Sequence, residues 1–107
     1  MTTKIHRSPA VQAIFDLRSA INEEWNTWAA ATPEGTRLRK IATAIFLREW
    51  PHCDPDEVVM GTAGAEFPTS FFRLGKGTVA IRFPILPAWA TYLNDARDAL
   101  KAVEIAQ

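Results

Sequence analysis

Residues 70–83, SFFRLGKGTVAIRF, set two apolar-rich runs on either side of Gly75-Lys76-Gly77. Such runs flanking a glycine-rich turn define an antiparallel β-hairpin. Elsewhere the apolar spacing is mostly helical, so this stretch decides that the chain is not an all-helical bundle. A two-residue Gly75-Lys76 loop fits a type II′ turn, which takes Gly first. That register sets Phe72 opposite Val79 and separates two faces. Phe72, Leu74, Val79, Ile81 and Phe83 form one face; Phe71, Arg73, Thr78, Ala80 and Arg82 form the other. A three-residue loop would mix apolar and basic residues on both faces, so the shorter loop is preferred. A lone hairpin is marginal in water. It must therefore pack on helices or gain a strand, from 57–67 or from a second subunit.

Ser8-Pro9 opens the first helix, with a capping hydroxyl followed by Pro at the first helical position. Val11, Ile14, Phe15, Leu17, Ile21, Trp25 and Trp28 share one side of it, as far as about Ala31. At about 35 Å this helix spans a chain of this length, whose compact radius of gyration is about 13 Å. Thr32-Pro33 repeats the start signal at once and implies a tight bend. Leu38, Ile41, Ala42, Ile45 and Phe46 make the buried stripe of a second helix. It ends at Trp50, because Pro51 disfavours helical geometry in the residue before it. Residues 55–67 stay ambiguous: Asp54-Pro55 caps a short helix, and Val58-Val59 favours a strand. Pro84 and Pro87 end the hairpin and open a last helix over about 87–105. Its inner stripe is Trp89, Tyr92, Leu93, Ala96, Leu100 and Val103.

The expected fold is α+β: two long N-terminal helices, a small antiparallel sheet built on the hairpin, and a C-terminal amphipathic helix. One domain over 1–107 suits the length, with residues 1–7 expected to be mobile. A single cysteine, Cys53, excludes an internal disulfide and fits a reducing compartment. No apolar run approaches the roughly 18 residues of a membrane span, and MTTKIHRSPAVQ lacks a signal-peptide core. We expect a cytoplasmic protein with no membrane contact.

The formal net charge is zero, which removes the usual argument for a generally basic polyanion binder. The charges are nevertheless segregated along the chain. Arg37, Arg39, Lys40 and Arg48 come without an acid between Gly35 and Arg48. Glu49, Asp54, Asp56, Glu57 and Glu66 follow without a base, and then Arg73, Lys76 and Arg82 without an acid. Arg37, Lys40 and Arg48 lie on one face of the second helix as a stripe about 16 Å long.

His52, Cys53, Asp54, Asp56 and Glu57 are the only cluster of ligand-type residues. Their near-consecutive spacing makes them a polar loop with a helix cap rather than a zinc site, which gathers ligands from separated positions. Cys53 lacks a convergent base, since side chains of adjacent residues seldom meet. No nucleophile elbow, Walker or dinucleotide motif is present. We expect no catalysis and no cofactor. A winged helix is permitted by the element order but opposed by charge: its recognition helix, 55–64, would start Pro-Asp-Glu and hold no Arg, Lys, Asn or Gln.

The reading that remains is a small regulatory, inhibitory or assembly protein acting through protein contact, as a homodimer. Accessory proteins of phages and other mobile elements are often built this way. The alternative is a nucleic-acid-binding protein using Arg37, Lys40 and Arg48 together with Phe71, Arg73, Lys76 and Arg82. The acids of 49–66 compete for those arginines. Arg18, Trp25 and Trp28 are interface candidates, because Arg and Trp are enriched at binding hot spots. Against this, Arg18 can snorkel to the helix edge and both tryptophans suit a core.

Overall fold

A computed structural model describes residues 8–75 and 81–106. The expected mobility of residues 1–7, the side chain of Lys76 and the Gly75-Lys76 turn geometry lie outside them. The architecture is α+β. Helix α1 (Pro9–Ala30) and helix α2 (Pro33–Glu49) are followed by strands β1 (Val58–Met60), β2 (Ser70–Leu74) and β3 (Ile81–Pro87). A 3₁₀ turn (Ala88–Tyr92) leads into helix α3 (Leu93–Ala106).

The bend between α1 and α2 forms as its residues dictate. Thr32 is extended and accepts the Gly35 N–H on its Oγ1 at 2.9 Å, with Pro33 next in the chain. The Thr36 hydroxyl donates back to the Ala29 carbonyl at 3.1 Å, tying the end of α1 to the start of α2. A Cβ on Gly35 would lie 2.7 Å from that same carbonyl, so only glycine allows the helices to approach this closely. At the other end, Trp50 caps α2 through its N–H to the Phe46 carbonyl, one residue before Pro51.

The ambiguous segment 55–67 supplies a strand. β1 pairs antiparallel with β3, and β3 pairs antiparallel with β2, giving the order β1-β3-β2. The hairpin thus gains its third strand within the chain. It forms in a different register from the expected one: Phe72 faces Phe83, not Val79. The slip is by four residues, an even number, so the division into faces survives. Phe72 and Leu74 pair with Phe83 and Ile81, while Phe71 and Arg73 pair with Pro84 and Arg82. Turn chemistry and the separation of faces both favour the two-residue loop. The observed register instead extends β3 to Pro87, where it also serves β1.

Pro87 is the last residue of β3, as expected, but Pro84 lies within this central strand rather than ending it, a position normally closed to proline. The pairing explains why both are tolerated. Within a strand, a residue's N–H and C=O point to the same side. The Pro84 carbonyl accepts from the Gly61 N–H at 3.0 Å, so its ring nitrogen faces the β1 side. There the last pair is Met60 with Ile85, one step short of Pro84. Pro87 alternates to the β2 side, beyond the Ser70–Ile85 pair where β2 begins. The missing donor of Pro87 falls where β2 has not begun, and at Pro84 the pairing with Gly61 is one-sided, its carbonyl accepting while the ring nitrogen returns no bond. The last helix consequently starts later than expected, at Leu93, after the 3₁₀ turn.

One core joins the elements: Ile21, Trp25 and Ala29 of α1, Leu38 and Ala42 of α2, Ile85 and Leu86 of β3, and Trp89, Leu93 and Ala96 beyond. Trp25 and Trp89 meet edge to face with centroids 6.0 Å apart, and Trp28 bridges Trp25 to Phe67. Such ring pairs add about 0.5–1.5 kcal/mol beyond the area they bury. Four expected core positions fall outside this core: Val103 of α3, Ile81 of β3, and Ile14 with Phe15 of α1 are exposed. The radius of gyration, 16.7 Å, exceeds the compact expectation of about 13 Å, in keeping with element ends that leave the core.

Candidate functional site

The basic residues singled out from the sequence fall on separate surfaces. Arg37, Lys40 and Arg48 are exposed along the outer side of α2. That helix packs on α1, the 3₁₀ turn and α3, whereas β2 packs on β3. The α2 stripe and the hairpin are not drawn into one site by packing. Segment 55–64 holds strand β1 and no helix, which removes the recognition element of a winged helix.

On the hairpin, Phe71 is 45% exposed and Arg73 and Arg82 are both exposed. Arg73 faces Arg82 directly across the strands. The Arg82 guanidinium lies over the Phe71 ring, 4.4 Å from its centroid. The acids of 49–66 do not compete here. Asp56 pairs with Arg39 at 3.6 Å, and Glu66 pairs with Arg97. Among the described residues, no carboxylate comes within 4.0 Å of Arg73 or Arg82.

Arg39 and Arg97 are thus the arginines that the acidic segment neutralises, and each also lies over a ring. Arg39 sits 5.3 Å from the Trp89 centroid and Arg97 sits 5.4 Å from that of Phe67. Both serve the fold: one pins the 54–56 loop to α2, the other pins residue 66 to α3. Sequence spacing had no means of finding these pairs, because their partners are 17 and 31 residues away.

The ligand-type cluster behaves as a turn. The Asp54 carboxylate accepts the Asp56 N–H at 2.9 Å, and Cys53 is exposed. Among the described residues, no hydrogen bond joins the Cys53 thiol or the His52 ring to another side chain, and no group of three or more His, Cys, Asp or Glu is placed to hold a metal ion. No helix among them is long and apolar enough to cross a membrane.

Of the interface candidates, Trp25 is 1% exposed at the centre of the core and offers no surface. Trp28 is partly buried against Trp25 and Phe67, and Arg18 is partly buried on α1. The exposed end of α1 is the opposite one. Ile14 is 53% exposed and Phe15 41%, although their stripe is buried from Ile21 onward. The sequence does carry a signal for this. With 22 residues, α1 is about 33 Å long, whereas α2, with 17, is about 26 Å and cannot cover it end to end. The chain matches no known family model, no characterised protein and no solved structure.

Proposed function

We propose that the protein is a small non-catalytic binding protein that acts through protein–protein contact and pairs with a second copy of itself along α1. The observation that carries this reading is the unfinished apolar stripe of α1. Leu17, Ile21 and Trp25 continue one row of residues that begins with exposed Ile14. A row that is half core and half surface is the pattern left when a helix completes its packing on association. A second α1 offers the same apolar row in return, which makes a two-fold contact self-complementary.

Light scattering over a concentration series tests the pairing. The expected result is a mass that rises from monomer to dimer, and that Ile14→Glu returns to monomer. Since Ile14 is exposed, that substitution leaves monomer stability within about 0.5 kcal/mol. A strictly monomeric mass at the highest concentration overturns the proposal.

A further inference from the structure

The hairpin presents a feature that folding alone does not account for. Arg73 and Arg82 are cross-strand partners. Pro84 directs its carbonyl toward β1, so its pair with Phe71 is not hydrogen-bonded. By alternation the Arg73–Arg82 pair is also of the non-hydrogen-bonded kind, in which side chains lie closest, with Cβ atoms about 4.5–5.5 Å apart. Like charges set directly opposite destabilise a sheet. Arg39 and Arg97 show that this chain neutralises arginines elsewhere. Here, among the described residues, it supplies no acid, and it stacks one guanidinium on the exposed ring of Phe71.

We infer that Arg73, Arg82 and Phe71 form a binding site for single-stranded nucleic acid. Side chains that start from directly opposed positions can bring their two guanidinium forks to one phosphate or to successive ones. The Arg82 guanidinium carbon lies 4.4 Å from the Phe71 centroid, so the ring holds this charge at the exposed face, where a guanidinium fork suits phosphate oxygens. The part of the Phe71 ring left exposed accepts an unstacked base, and a guanidinium plane serves equally as a stacking surface. An acidic protein segment would satisfy the charges but has no flat base to place on the ring. Duplex DNA satisfies the charges with its bases already stacked inside. Single strands alone use all three side chains. The α2 stripe lacks this combination, since Arg37, Lys40 and Arg48 face water with no aromatic residue on their row.

Fluorescence anisotropy with a labelled oligo-dT strand, an equal-length duplex and polyglutamate tests the inference. The expected result is preference for oligo-dT, with affinity falling as salt rises on a log–log slope of about −1.4, as two phosphate contacts on a single strand require. Arg73→Gln and Arg82→Gln should each weaken oligo-dT binding about tenfold and roughly halve that slope. Phe71→Ala should weaken it about fivefold or more with the slope unchanged. Arg37→Gln should leave it unaltered. A second readout guards against misfolded variants: Arg73→Gln, by removing the like-charge pair, should raise the urea midpoint while lowering affinity. Four outcomes overturn the inference: no oligo-dT binding at low salt, equal binding of polyglutamate or duplex, indifference to Phe71→Ala, or equal loss with Arg37→Gln.

Discussion

Thr32, Gly35 and Gly64 carry more of this fold than their size suggests. Thr32 satisfies one of the free N–H groups at the start of α2. Thr32→Ala should cost about 1 kcal/mol, which lowers the thermal midpoint by about 4–8 °C in a domain of this size. Circular dichroism melts check it. Gly64 has a φ of +117°, and a Cβ there would lie 2.5 Å from Nδ2 of Asn94. Asn94 in turn accepts from Arg97, the arginine that holds Glu66. Gly64→Ala should therefore destabilise by about 1–3 kcal/mol through backbone strain, read as a lower urea midpoint. The need for glycine at 64 is not legible in the local sequence, because it comes from a helix thirty residues later.

At the scale of elements, the helices and the sheet differ in how far local residues determine them. The cap residues, the prolines and the period of apolar residues placed α1 and α2 to within a residue. The hairpin forms at the expected place and its described residues divide between the faces as expected, with Thr78, Val79 and Ala80 outside the described residues, but its register differs. A bridge between introduced cysteines separates the two registers. In a Cys53→Ser background, Arg73→Cys with Arg82→Cys should form a disulfide under mild oxidation, since non-hydrogen-bonded partners lie about 4.5 Å apart at Cα. In the two-residue-loop register the same positions would be four residues out of step, about 13 Å apart, and would not bridge. A mobility shift on non-reducing gels with mass spectrometry reads the result. The same pair of positions underlies the nucleic-acid inference, so this register test also examines its geometric premise.

At the scale of the whole molecule, two surfaces remain turned outward for different reasons. Ile14 near the start of α1 is exposed, and among the described residues α2 is too short to run along α1 from end to end. The hairpin face is basic and exposed because the acids lie beside Arg39 and Arg97. The two surfaces make independent predictions. Ile14→Glu should abolish self-association with oligo-dT affinity per chain unchanged, and Arg82→Gln should do the reverse, as sedimentation and anisotropy on the same preparations would show.

The sequence by itself determined what short-range chemistry controls: where helices start and stop, which of their residues turn inward over most of their length, and how the hairpin divides into an apolar and a basic face. Those features depend on caps, prolines and periods that act within a few residues. Only the tertiary structure decided that β3 lies between β1 and β2, that Pro84 and Pro87 fit a central strand, and which arginines are neutralised. Each of these depends on what residues 17 to 31 positions away, or more, bring alongside. Alternation along a strand is blind to an even slip, so the two faces of the hairpin could be read while the pairing of Arg73 with Arg82 could not.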